Sequence, residues 1–360
     1  MKVSSQKLPF VPRLEALRGV AAISVVAYHA VGQFVDTNVT GMAPVVMFFV
    51  LSGFVLARSL ANDHRPLEFL QHRVFRLLPA ATAVVLLLTA LYLSFGFYVG
   101  FRPSFDPLNV TLNALMIRHD INGVMWSMTV ECFATPVILG SVWIYRGCGS
   151  ARLWMLIAFL FALSFWGPYV HLLGGFSNLA PLYAFVVGVL LHFRGEAFYK
   201  SLSPANCAVF TIIAAAMLGT CGIRKQTTLV IALECIGSAM IVGLIAFKAA
   251  AAWLRLLDFS AIRFFGRVSY SFYLLHVIGM SLALRLIADG VDFRVKIFAE
   301  FTLAVAITTP MAWLSWRFIE KPFIALGRAL DTHSRVSRPT FDHREHDIPP
   351  TIATEKRSVH

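Results

Sequence analysis

Apolar runs of membrane-spanning length recur along the whole chain, separated by short polar segments. A helix needs roughly 20 residues to cross the hydrocarbon core of a bilayer. Ten candidate spans follow, at about 14–34, 42–60, 79–99, 124–145, 153–173, 179–193, 207–221, 228–248, 268–288 and 297–318. The pattern predicts an all-α fold: a polytopic transmembrane helical bundle of about ten spans. Those between 179 and 221 are short enough to be tilted or partial. No internal repeat points to an inverted-repeat transporter.

Two stretches break the pattern. Residues 62–78, NDHRPLEFLQHRVFRLL, carry Leu67, Leu70, Val74, Leu77 and Leu78 at helical spacing, with His72, Arg73 and Arg76 between them. This predicts an amphipathic helix lying in the membrane interface. Beyond Ala329 the chain turns polar and loses its apolar period. The expected organisation is therefore a membrane domain over 1–328 and a disordered cytosolic tail over 329–360.

Composition agrees with a membrane protein. The chain of 360 residues is 58% hydrophobic and 14% charged, against about 25% charge in soluble domains. Mean hydropathy is +0.72 and the pI about 9.8. The excess of 31 Lys and Arg over 19 Asp and Glu falls mainly in alternate loops, which predicts that both termini are cytosolic. That bias, without aromatic-basic interleaving, argues against a nucleic-acid partner. Cys132, Cys148, Cys207, Cys221 and Cys235 are scattered without zinc-ligand spacing, so neither a metal nor a disulfide framework is expected. The N-terminal apolar segment is too long, and lacks the small-residue site, for a cleavable signal.

Ionisable residues inside spans are costly and are functional candidates by default. Arg18 and His29 stand eleven residues apart, close to three helical turns. They share one face, about 16 Å apart along the axis. Arg18 alone reads equally as a snorkelling anchor. His29 reads as a functional group or as a buried structural histidine. In VMWSMTVECF, Ser127 and Glu131 are i and i+4, and Glu131 is expected about 10 Å deep, near the level of His29. A His29–Glu131 pair would orient a general base; a structural ion pair is the alternative. In FFVLSGF, Gly53 permits close helix approach and Ser52 an interhelical hydrogen bond. Ser269, Tyr273 and His276 form one stripe, suited to lining a pocket or to packing. Arg73 and Arg76 suit phosphate recognition, or contact with anionic lipid headgroups. Glu320 is placed to pair with Arg18 or Lys321.

Together these segments resemble the acyltransferase-3 family of integral-membrane O-acyltransferases. The matching stretches are LEALRGVAAISVVAYHA, VVMFFVLSGFVLARS, HRVFRLLP, WSMTVE, FGRVSYSFYLLH and LSWRFIEKPF, in the family's order. The resemblance implies transfer of an acyl group, commonly acetyl, from cytosolic acyl-CoA to a hydroxyl of a cell-surface, secreted or lipid-linked carbohydrate, as in polysaccharide biosynthesis at the bacterial inner membrane. Acyl-CoA enters as donor substrate, with no resident cofactor. It implies that Arg18 and His29 are catalytic, His29 as general base or acyl carrier, and that Arg73 and Arg76 hold the donor; Glu131 joins the catalytic set as the expected partner of His29. Ser52, Trp126, Ser127, Tyr273 and His276 are the expected substrate-binding set. Departures occur at Glu15-Ala16, where the family usually has Asp-Gly, and at Cys132-Phe133-Ala134 after WSMTVE. Nothing beyond the tenth span suggests a fused esterase domain, so a partner acting after this protein is expected to be a separate chain. A sugar or lipid transporter or flippase is the alternative reading.

Overall fold

The computed structural model describes residues 12–35, 41–61, 66–166, 169–172, 175–248 and 252–336. Twelve helices among the described residues run α1 (Pro12–Phe34), α2 (Met42–Ala61), α3 (Pro66–Phe95), α4 (Pro107–Ala114), α5 (Trp126–Cys148), α6 (Ser150–Leu163), α7 (Leu182–Ser201), α8 (Pro204–Cys221), α9 (Thr228–Phe247), α10 (Ser260–Leu286), α11 (Phe293–Ser315) and α12 (Lys321–Val336). A π-helical turn over Trp316–Glu320 joins the last two. Each of the ten expected positions holds a helix, and seven described helical stretches are long and apolar enough to cross a membrane. The chain is an integral membrane protein. α10 is not among the seven because its polar residues lower its mean hydropathy; Ser269, Ser271, Tyr273 and His276 are all buried.

α10 lies in the middle of one half of the bundle, packed along α1 and α11, while α2 packs along α7 and α9 in the other half. α5 contacts α2, α6 and α7, and α1 contacts both α2 and α9. The α2–α7 seam is unusually close. A Cβ on Gly53 would run into the Phe185 carbonyl oxygen, and one on Gly188 into that of Val50. The packing role expected of Gly53 is thus what the seam requires.

Three expectations are corrected. First, 66–78 is no separate interfacial helix, and 62–65 lie outside the described residues. α3 runs unbroken through Pro79, and its amphipathic part is turned inside out. Leu67 and Val74 are 79% and 52% exposed, whereas Glu68 and Arg73 are buried. In lipid the outward face is the apolar one, and polar side chains turn inward to find partners. Second, the fifth span stops short. α6 ends at Leu163, a 3-10 turn follows to Trp166, and Tyr169–Leu172 pairs antiparallel with Gly175–Asn178. Third, the polar C-terminal segment begins as helix: α12 continues to Val336, and 337–360 lie outside the described residues. Gln71 on α3 donates to the Gly327 carbonyl at 2.8 Å, and Phe75 packs on Gly327, so α12 is tied to α3.

The start of α1 is clamped to the 3-10 stretch Ala252–Asp258. Arg13 Nε donates to Asp258 Oδ1 at 2.9 Å and Arg263 Nη2 to the same oxygen at 3.0 Å. Hydrogen bonds from Arg13 and then Arg263 hold the Asp258 carboxyl at about 2, against an ordinary 3.8. A depressed carboxylate stabilises the fold above its unfolded value and loses that contribution as pH falls through the folded one. Asp258→Asn is expected to lower the melting temperature in detergent at neutral pH. The difference from wild type should shrink between pH 4 and pH 2. Gly53→Val is expected to destabilise by about 1–3 kcal/mol through overpacking of the seam, measured by thermal unfolding in the same micelles.

Candidate active site

Four helices converge on a small chamber of about 30 Å³. α1 contributes Arg18, α2 Phe48, Phe49 and Ser52, α5 Ser127 and Glu131, and α10 Tyr270 and Tyr273. Glu131 is the hub. Its Oε1 lies 2.9 Å from Nη2 of the buried Arg73 and accepts a hydrogen bond from Ser52 Oγ at 3.0 Å. The Arg73 contact is an ion pair without in-line hydrogen-bond geometry, so Nε and Nη2 keep unused donors. Arg18 and Arg76 have no hydrogen-bond or ion-pair partner among the described residues. They repel each other and are attracted by Glu131 and Glu320. Glu320 enters on the π turn, where Ser271 Oγ donates to its Oε2 at 3.1 Å. Tyr270 Oη donates to the Leu77 carbonyl and so ties α10 to α3. Two unpaired guanidiniums held near each other form a seat for an anion.

Beyond Tyr273 the bundle opens into a cleft of about 530 Å³. His29, Gly41, Trp126 and Tyr273 lie on its walls. Gly41, just before α2, has φ +67°, so an L side chain there would be strained; a Cβ would sit in ordinary contact, 3.9 Å from Nε2 of His29. The His29 ring stacks on His276, with centroids 5.4 Å apart and planes at 20°. His276 is fully buried. Its Nδ1 lies against the Tyr273 carbonyl, which can only accept, so that nitrogen carries the proton.

Tyr273 belongs to both spaces, as does Val45. Its Oη donates to the Val124 carbonyl at 3.1 Å and accepts from Ser127 Oγ at 2.9 Å, while its ring meets Phe48 edge-on at 6.1 Å. A guanidinium–carboxylate cluster and a solvent-accessible imidazole therefore face each other across one aromatic wall.

The acyltransferase-3 family model, described as an acyltransferase domain, matches residues 11–317. The chain belongs to the acyltransferase-3 family. It is similar to provisionally named O-acetyltransferases of Staphylococcus aureus. The strain COL protein is 23% identical over 363 residues, covering 88% of this chain and 58% of the relative. The strain MRSA252 protein is 23% identical over 375 residues, covering 91% and 60%. The strain MSSA476 protein is 23% identical over 363 residues, covering 88% and 58%. The chain thus spans about three fifths of the length of these relatives.

The family's motif residues fall into two groups in space. Arg18, Ser52, Ser127 and Glu131 meet at the chamber, with Arg73 and Arg76 beside them. His29 and Trp126 meet at the cleft, with Tyr273 between. Three expectations are overturned. Glu131 does not hold His29: its carboxylate is taken by Arg73 and Ser52, at the level of Arg18. The depth estimate failed because α5 does not start at the membrane surface. Asn122 before it is fully buried and donates to the Leu274 carbonyl at 2.9 Å, so the helix begins inside the bundle. His276 does not line the cleft but packs behind His29. Glu320 meets Ser271 rather than an ion-pair partner. Gly41 and Tyr270 were missed. A glycine ending a polar loop and a tyrosine beside Ser269 carry no distinct signal in one sequence.

Removing one member of a buried ion pair costs about 3–5 kcal/mol, whereas an apolar replacement of both is often neutral. Glu131→Leu alone should destabilise strongly, and Arg73→Met with Glu131→Leu should recover most of the loss. Thermal unfolding of the two single variants and the double variant checks this. Activity should stay lost in all three if the cluster also serves the reaction.

Proposed function

We propose that this protein transfers an acyl group, of which acetyl is the simplest, from acyl-CoA to a hydroxyl of a carbohydrate or glycolipid. The reaction lies across the wall formed by Tyr273. Family membership supports acyl transfer, and the provisional names of the relatives mention O-acetyl transfer. The observation that carries the reading is the separation of an anion seat, Arg18 and Arg76 beside the Arg73–Glu131 pair, from a cleft that presents His29.

The basic end of the bundle lies on the cytosolic side, by the loop-charge rule, and the bacterial inner membrane is the setting this implies. Acyl-CoA approaches from there, its phosphates taken by Arg76 and Arg18 and its thioester directed towards Tyr273. The acceptor hydroxyl comes from the opposite side into the cleft. His29 removes the hydroxyl proton as the oxygen attacks the thioester carbonyl. The new C–O bond forms, the C–S bond breaks, and the proton passes to the departing CoA sulfur. Stacking on His276 orients the His29 ring without placing a carboxylate beside it. No metal is needed for this sequence of steps.

His29→Ala is expected to lower turnover roughly 10²–10⁴-fold with CoA affinity unchanged. Arg76→Ala is expected to weaken CoA binding with little effect on the rate at saturating donor. Release of CoA thiol by the purified protein on addition of acceptor measures both. Near wild-type release from His29→Ala refutes the base. Movement of a sugar or lipid across vesicles without CoA release favours a transporter.

A further inference from the structure

A second cavity, of about 500 Å³, adjoins the His29 cleft. Its far wall is Phe101, Arg102, Pro103, His119 and Asp120. The two cavities share Val99, Gly100, Gly123 and Trp126. They form one trough, with His29 in one lobe and a polar, aromatic-rimmed wall in the other. The junction between the lobes is open. A Cβ on Gly100 or on Gly123 would meet nothing within 4 Å.

The outer wall is rigid before any ligand arrives. Asn109 and Asn113 are fully buried and grip the Asp120 carboxylate, their Nδ2 groups donating at 2.6 and 2.9 Å. Asn113 Oδ1 accepts from the Ile121 amide at 3.1 Å, and Arg118 donates to Asn109 Oδ1 at 2.8 Å. Met116, at φ +58°, turns the chain here, and its carbonyl accepts from Thr129 on α5 at 2.8 Å. Arg102 is held by donating to Tyr92 Oη at 2.7 Å. Preorganisation of this kind lowers the entropic cost of binding.

Each lobe by itself falls within the roughly 300–1,000 Å³ of a complete small-molecule site. A single sugar ring with its hydroxyl at His29 leaves the outer lobe empty. Trp126, at the junction, offers an aromatic face to an apolar ring surface. The outer lobe sets a guanidinium against a carboxylate whose exposed oxygens retain lone pairs for hydroxyl donors. Resting on the acyl-transfer reading of the His29 lobe, we infer that the trough binds an acceptor glycan of at least two sugar rings. One ring is presented to His29 and the next is held by Arg102, His119, Asp120 and Trp126. The outer lobe thereby sets acceptor length.

The test uses the full chain in lipid nanodiscs and a ladder of de-O-acetylated fragments, one to six rings long. They are released by partial acid hydrolysis from the surface glycan of the producing cell. Bound fragments are quantified by native mass spectrometry, and CoA affinity is measured on the same samples. Fragments of two or more rings should bind at least roughly tenfold tighter than single rings, a difference of about 1.4 kcal/mol. Gly123→Phe, which fills the junction, should abolish that preference and leave CoA affinity unchanged, while Gly123→Ala retains it. Arg102→Ala should weaken the longer fragments and not the single ring. Equal binding at every length overturns the inference, as does binding at no length, or a preference that survives in Gly123→Phe. A length preference without CoA thiol release would remove the acyl-transfer reading and leave the trough assignment standing; release without a length preference would do the reverse.

Discussion

A guanidinium and a carboxylate placed among membrane helices must find each other or bring water with them. The Arg73–Glu131 pair meets that demand, and much of the bundle's geometry follows from it. Arg73 must point inward, which turns the basic part of α3 over and leaves Leu67, Leu70 and Val74 exposed. Glu131 must lie deep, so the segment before α5 enters the bundle and buries Asn122. Ser52 supplies the hydrogen bond that the ion pair leaves open on Glu131, and this draws in α2 across from its glycine seam with α7. A stabilising pair thus sits beside Arg18 and Arg76, which have no such partner and are held close against their mutual repulsion.

α10 performs the complementary task. It is one of the less apolar long helices, and its polar residues are spent on interior contacts. Tyr270 reaches α3, Ser271 reaches Glu320 on the π turn, Tyr273 reaches the start of α5, and His276 backs His29. A π turn inside a long helical stretch re-aims the side chains that follow it and is frequent at functional sites. Here it brings Glu320 inward.

Much of this was legible in the residues. Ten apolar periods located ten helices, and the eleven-residue spacing of Arg18 and His29 put both on the inward face of α1, Arg18 at the chamber and His29 at the cleft. Gly53 was legible as a contact residue because small side chains in apolar helices rarely serve another purpose. Partner choice was not legible. The spacing within WSMTVE places Ser127 above Glu131, but only tertiary structure decides how deep that helix begins. The amphipathic run in 66–78 has the same period whether its polar face meets water or a buried carboxylate. After α6 the sequence carries the turn signals Gly167-Pro168 and Gly174-Gly175, but the apolar residues between them extended a span that the backbone does not.

The wall between the two spaces has a consequence for what crosses it. The chamber beside Glu131 has room for about one water, and Val45, Phe48 and Tyr273 close it on the cleft side. The charged cluster and the His29 cleft are neighbouring spaces that share Val45 and Tyr273 as lining. Whatever passes from one space to the other has to pass these two side chains, so the size of what can be exchanged is set at Tyr273 and Val45.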